Sequence, residues 1–252
     1  MRIASYNLFE GARDTSAQLE NFVEQQEIDI LSIQEANGWQ DGDPSRLAQF
    51  AKNTGMESYI YGDSNSRFKL AIFSRLPIIS STVYKQGLHH CAVEAAVEVN
   101  KEPLHIWNVH LSPYGEDQRL AEVKLLTKSL KLEEPTLING DFNSLSQSDL
   151  YPSTLLAELR ERGMTKFGVD RLRYDVTRYL GSIGLIDLAA AMDVATATVP
   201  TPANSDASHA ANLRLDYMFA SQSLAGLVDR VTVPKNSLTD VISDHYPVVI
   251  EL

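Results

Sequence analysis

The chain has 252 residues, 44% hydrophobic and 22% charged, which is enough to build one sizeable core. A net charge of −11 with no Lys/Arg-rich run argues against a protein that tracks a long nucleic-acid backbone, unless a bound cation supplies the positive charge. No window is apolar enough to span a membrane, and the single cysteine, Cys91, excludes an internal disulfide and suits a reducing compartment.

"RIASYN" opens the chain as a strand from Arg2, leaving no room for a signal peptide, so a cytoplasmic location is expected. "TSAQLENFVEQQ" places Leu19, Phe22 and Val23 on one helical face, and "IDILSIQE" is an apolar strand ending on Glu35. "PSRLAQFAKNTG" runs from a proline start to a glycine stop, as a helix does. "SYIYG" and "LAIFS" read as strands, "AVEAAVEV" alternates strictly, and "LHIWNVHL" follows. Cys91 heads the alternating strand and reads as a small core hydrophobe rather than a nucleophile. "EDQRLAEVKLLTKSL" has Leu120, Val123 and Leu130 at helical spacing, "TLING" is a short apolar strand, and "STLLAELRERG" and "VTRYLGSIG" are shorter helices. "RLDYMFAS", "GLVDRVTVP" and "YPVVIEL" are the late strands.

Strands outnumber helices and several follow one another directly, which disfavours a doubly wound parallel sheet. The pattern predicts one α/β domain over residues 1–252, two mainly antiparallel sheets packed face to face with helices outside. Residues 146–184 and the loop "TATVPTPANSDASHAAN" look like insertions over one face, where long loops often act as lids.

Six strands terminate in Asn, Asp, Glu or His: Asn7, Glu35, His110, Asp141 with Asn143, Asp216, and Asp244 with His245. Each alone has an ordinary reading: a turn for Asn7, a cap for Glu35, a hydrogen-bonded core imidazole for His110. Asp141 and Asn143 are two apart and share a side of an extended backbone. Either they cap a turn or they face a ligand that wants oxygen atoms. Gathered at one edge of the sheets, these groups would form a carboxylate cluster that needs a cation.

The ordered set "SYN", "QE", "GDFN", "DY" and "SDHYPV", with "LAIFSRLPI" between, resembles the endonuclease/exonuclease/phosphatase superfamily over nearly the whole chain. The resemblance implies a four-layered α/β sandwich that hydrolyses phosphate esters with Mg²⁺ or Mn²⁺ at one end of the sheets. It implies Glu35 as principal metal ligand, with Asn7 and Asp244 nearby, oxygen donors of the kind Mg²⁺ prefers. Asp141 would orient or deprotonate the attacking water, and Asn143 would hold the phosphate or that water. His245 would hydrogen-bond a phosphoryl oxygen or act in acid–base chemistry, with Asp216 fixing its tautomer. His110 matches the "VHL" histidine of the deoxyribonuclease-like and sphingomyelinase-like branches, whereas the AP endonuclease branch has tyrosine there.

Two positions depart from the family pattern. Phe9 stands where a second metal ligand or an arginine is common, and no carboxylate precedes "LAIFS" to partner His110. Arg67 and Lys69 occupy that region instead, either near a substrate phosphate or as a solvated strand edge. The acidic balance favours a small phosphorylated metabolite or headgroup as substrate, with DNA or RNA cleavage as the alternative. Arg171, Arg173 and Tyr174 are the candidate substrate contacts in the insertion. A non-catalytic binding member would not require Asp141, Asn143, Asp216 and His245 all to remain. "HHC" at His89–Cys91 lacks the further cysteines of a soft-metal site.

Overall fold

Twelve strands and eight α-helices alternate along the described residues, 1–205 and 211–252, of the computed structural model. Part of the second insertion, residues 206–210, lies outside the described residues. The strands are β1 (Arg2–Asn7), β2 (Ile30–Gln34), β3 (Ser58–Gly62), β4 (Leu70–Ser74), β5 (Ile78–Tyr84), β6 (Ala92–Val99), β7 (Glu102–His110), β8 (Thr136–Asp141), β9 (Ile186–Asp187), β10 (Asp216–Ala220), β11 (Arg230–Thr232) and β12 (Val248–Glu251). The helices are α1 (Ser16–Gln25), α2 (Arg46–Thr54), α3 (Glu116–Leu126), α4 (Leu155–Glu161), α5 (Asp175–Ser182), α6 (Leu188–Ala191), α7 (Gln222–Ala225) and α8 (Thr239–Ile242). None of the helices is long and apolar enough to cross a membrane.

The strands form two six-stranded sheets, ordered β11-β12-β1-β2-β4-β3 and β5-β6-β7-β8-β10-β9. Each sheet has one parallel pair, β1/β2 and β7/β8, and antiparallel neighbours elsewhere. A parallel pair needs a crossover, and α1 and α3 provide the two crossovers. The two pairs therefore send four strand C-termini to one edge. Their antiparallel neighbours enter from that same edge, so β10 begins there with Asp216, opposite Asp141, and His245 precedes β12.

Alternation along the strands fills both faces. Ile3, Ile30, Ile72, Val93, Ile106, Leu137 and Ile250 fill the space between the sheets. Tyr6, Phe22, Trp39, Phe50 and Phe73 pack outside the first sheet, where α1 and α2 lie. Trp107, Val123, Ile138, Phe142 and Leu180 pack outside the second, under α3 and α5. The result is the expected four-layered sandwich. A fourth cluster, with Leu145, Leu155, Leu159, Phe167 and Leu215, forms a separate small core for the 146–184 insertion.

Some elements differ from the sequence pattern. β5 carries mostly exposed Ser and Thr at the sheet edge, so hydrophobic periodicity does not mark it. "GLVDRVTVP" is a strand only over β11, because the turn that ends α7 takes its start at Gly226 and Leu227. On α3 the buried face carries Glu116, Arg119 and Glu122 beside Val123 and Leu126, while Leu120 is only half-buried. The Glu116–Arg119 pair is buried at 2.9 Å, and Glu122 accepts the backbone N–H groups of Ser112 and His89. These charges fix the loops at the functional edge rather than facing solvent.

Candidate active site

The "NGDFN" segment shows how local sequence places a side chain. Gly140 has φ +138°, and a Cβ there would lie 1.9 Å from the Val109 carbonyl oxygen. Only glycine lets β8 run this close to β7 before the chain turns. Asn143 follows at φ 50°, and its backbone N–H donates to Asp141 Oδ1 at 2.8 Å. Asp141 Oδ1 thus caps the turn, while Asp141 also lines the cleft.

Four nitrogen atoms converge on Asp141 Oδ2. Asn7 Nδ2 lies at 3.1 Å, Asn143 Nδ2 at 3.3 Å, His110 Nε2 at 3.4 Å and His245 Nε2 at 3.9 Å. They come from β1, the β8 turn, β7 and the loop before β12, so both sheets contribute. Ser243 Oγ donates to the Asn7 carbonyl at 2.7 Å and accepts from His245 N, which ties that loop to β1.

His245 Nδ1 donates to Asp216 Oδ2 at 2.8 Å, leaving Nε2 toward the cleft. Burial pulls this imidazole down, but the carboxylates of Asp216, Asp141 and Asp244 outweigh it and raise its pKa to about 10. His110 behaves oppositely. Burial and the neighbouring His245 cation lower it to about 3, so it is neutral near pH 7. Besides Asp141 at Nε2, its neighbours are aromatic rings: His90 stacks on it with centroids 4.3 Å apart, and Phe68 tilts against it. His90 is itself bonded to Ser66 Oγ at 2.6 Å.

Glu35 stands across the cleft at φ 62°, accepting from Glu10 N at 2.9 Å and from Asn7 Nδ2 at 3.4 Å. Burial, with Asp244 and Asp141 adding repulsion against the Glu10 N–H and His245, pushes its carboxyl up to about 7. A buried carboxylate with two further carboxylates near it offers hard oxygen donors that fit a divalent cation, which would offset the cost of burying the charge. Asn7 turns its nitrogen toward the carboxylates and its oxygen toward Phe9 N at 3.1 Å, so ligation through Asn7 requires the amide to turn over. Asp141, Asp216 and His245 also offer ligand atoms within 4.8 Å of one another. The Asp216–His245 hydrogen bond already engages Oδ2 of one residue and Nδ1 of the other, which favours the Glu35 and Asp244 side as the cation site.

The cleft encloses about 190 Å³ and is lined by Glu35, His110, Asp141, Asn143, Asp244 and His245, with Asp216 behind His245. Phe9, Glu10, Arg67, Phe68, His90, Pro113 and Lys166 complete the wall. Arg67 reaches the cleft but pairs with Glu10, and Lys69 pairs with Asp63. Lys166, in the insertion, places Nζ 3.4 Å from Asn143 Oδ1. Sequence reading missed Lys166, His90 and Glu10. Glu10 lies three residues after Asn7, and that spacing was its one available signal.

A larger cavity of about 710 Å³ adjoins the cleft, and Lys166 lines both. Arg171 and Arg173 line this cavity, with Arg173 bonded to Asp117 at 2.6 Å and to Asp175 at 2.7 Å. Tyr174 instead stacks on Tyr151, at 8° between rings, in the insertion's small core.

Several solved structures share this fold. An AP endonuclease from Archaeoglobus fulgidus matches with a TM-score of 0.74 at 14% identity, covering 100% of this chain and 98% of that one. The 3′ phosphatase NExo from Neisseria, bound to a product DNA hairpin, matches at 0.70 and 19%, with 100% and 98% covered. A mannosyl-6-phosphatase from Bacteroides thetaiotaomicron matches at 0.67 and 17%, again with 100% and 98% covered. A comparison with curated proteins finds no match. The model of the endonuclease/exonuclease/phosphatase family matches residues 4–245, which span every side chain of the cleft, and the chain therefore belongs to that family of hydrolytic phosphoesterases.

Proposed function

We propose that the chain is a divalent-metal-dependent phosphoesterase that hydrolyses a small phosphorylated metabolite or headgroup by in-line attack of water. The observation that carries this reading is the focus of four nitrogen atoms on Asp141 Oδ2, facing the buried Glu35 across the cleft. Phosphate esters are anionic and repel hydroxide, so a catalyst must neutralise charge, align a water and stabilise the leaving oxygen. Glu35 and Asp244 would hold Mg²⁺ or Mn²⁺, joined by Asn7 once its amide turns, and the cation when bound supplies charge neutralisation and polarises the phosphoryl group.

The remaining work falls to the protein's own groups. Asp141 orients the water and takes its proton, steadied by Asn7 and by the neutral His110. Asn143 holds a phosphoryl oxygen, and Lys166 beside it adds positive charge. The water oxygen forms the new bond to phosphorus, the ester P–O bond breaks, and the leaving oxygen is protonated from His245 Nε2. Asp216 keeps that nitrogen aimed at the cleft. The charge of −11 and the small volume of the cleft, beside a polar cavity, support a small substrate over a nucleic-acid strand. The lone buried Cys91 is in keeping with a cytoplasmic location.

The test is a panel of phosphate mono- and diesters, nucleotides and DNA, assayed with Mg²⁺, with Mn²⁺ and with excess chelator. Turnover is expected only with metal, and Glu35→Gln should lose metal affinity and most activity while keeping the native circular dichroism. Full turnover in excess chelator overturns the metal requirement. DNA as the best substrate overturns the small-molecule reading.

A further inference from the structure

The 710 Å³ cavity adjoins the catalytic cleft: Lys166 stands in the walls of both, and the consecutive residues Pro113 and Tyr114 line the cleft and the cavity respectively. Its outer wall is a tight turn. Gly168 has φ +125°, a Cβ there would lie 1.9 Å from the Arg171 carbonyl oxygen, and Arg173 N closes the turn on Phe167 O at 2.9 Å. That turn presents Asp170 and Arg171 at its exposed tip. Arg173 is held by Asp117 and so braces the wall across to the start of α3. On the rim, Tyr114 is 66% exposed, yet it is not loose: its ring meets His89 edge-on at 4.9 Å.

The chemistry of this wall is specific. Carboxylates and cations are interleaved on it, with Arg173 paired to Asp117 and Asp175, so it offers no basic stripe to a polyanionic strand. Its charged lining would leave an acyl chain unsatisfied. It suits a neutral group bearing many hydroxyls, each of which needs a donor and an acceptor at once. Lys166 and Arg171 donate, Asp170 and Asp117 accept, and the Tyr114 ring offers an apolar face to the C–H side of a saturated ring.

We propose that this cavity is the leaving-group subsite of the adjoining catalytic centre and takes a polyhydroxylated group, a sugar or a cyclitol. The proposal rests on the phosphoesterase reading above and names the substrate class for it. Contacts made away from the reacting phosphorus raise turnover when they are realised in the transition state, so an ester lacking hydroxyls should be processed less well.

The experiment measures kcat/KM for hexose phosphates, inositol phosphates, p-nitrophenyl phosphate and a 3′-phosphorylated oligonucleotide, on the native chain and on Asp170→Ala and Arg171→Ala. Both substitutions lie on an exposed turn, and circular dichroism checks that the fold is kept. The native chain should prefer a sugar or cyclitol phosphate over p-nitrophenyl phosphate, and each variant should lower that ratio by about tenfold, the loss of one polar contact. Hexose and inositol arms distinguish the two sources of hydroxyls. Esters hydrolysed without preference, or a ratio unchanged in both variants, overturns the subsite alone, whereas a preference for the oligonucleotide overturns the subsite and the small-molecule reading together. If no ester is hydrolysed with either metal, the subsite falls together with the reading beneath it.

Discussion

The hydrogen bond from His245 Nδ1 to Asp216 Oδ2, 2.8 Å long and buried, decides which ring nitrogen meets the cleft. With a carboxylate on Nδ1, Nε2 carries its proton outward, and the imidazole stays charged until the pH approaches about 10. His245→Ala should lower kcat on the order of 10²-fold, as expected for a positioned acid. Asp216→Asn should cost less, because the ring remains but loses its orientation. Residues that act as a unit are not additive, so the double variant should be scarcely worse than His245→Ala alone. Losses that multiply independently in that cycle would show that Asp216 does not act through His245. This pair was legible in the sequence through the family resemblance of "DY" and "SDH", which implied that Asp216 orients His245; strand-end position alone marked the two residues without pairing them. Lys166 and His90 were not. Lys166 lies in a charged insertion that reads as solvated, and His90 joins the site by stacking on His110, a contact without sequence periodicity.

At the scale of one element, β8 is where local chemistry and site geometry coincide. Its apolar run was readable as a strand, but the need for Gly140 was not, because the crowding comes from Val109 on the neighbouring strand. Gly140→Ala places a methyl group 1.9 Å from that carbonyl, so β7 and β8 must separate or the backbone must leave φ +138°. A destabilisation of roughly 2–4 kcal/mol is expected, measured by denaturant unfolding. Asp141 follows immediately, so turnover should also fall at temperatures where the variant is fully folded. Native stability together with native kcat would mean that the close approach is not required. β5 is the contrasting case. An edge strand with most side chains in water carries neither alternation nor an apolar run, so only its pairing with β6 defines it.

For the whole molecule, strand count and strand succession in the sequence were enough to indicate two packed sheets. How the sheets face each other was not readable, since it depends on contacts between residues far apart in the chain. Contacts of β2 with β7 and β8, and of β1 with β8, set the two parallel pairs face to face. A polar seam lies within that interface, one layer below the cleft. Gln34 Nε2 donates to Asn108 Oδ1 at 2.6 Å, and Asn108 Nδ2 donates to the carbonyls of Ile33 and Ala71 at 2.8 and 2.9 Å. Gln34 precedes Glu35, and Asn108 is two residues before His110, so the seam joins the strands that deliver opposite walls of the site. Hydrogen bonds are directional, whereas apolar packing tolerates small slides between sheets. Asn108→Leu should therefore cost about 2–4 kcal/mol by leaving Gln34 Nε2 and two carbonyls short of a partner. Replacing both side chains, as Gln34→Leu with Asn108→Leu, removes a polar group from each sheet and should cost less than the sum of the single changes. Stability and turnover then part company. The double variant should regain the part of the stability lost at Gln34 Nε2, the Ile33 and Ala71 carbonyls still lacking Asn108, yet keep a reduced kcat, because leucine pairs fill the space without fixing the alignment of Glu35 against Asp141. Denaturant unfolding and steady-state kinetics on the four proteins of the cycle measure both quantities. A double variant that is stable and turns over at the native rate would show that apolar packing alone aligns the sheets.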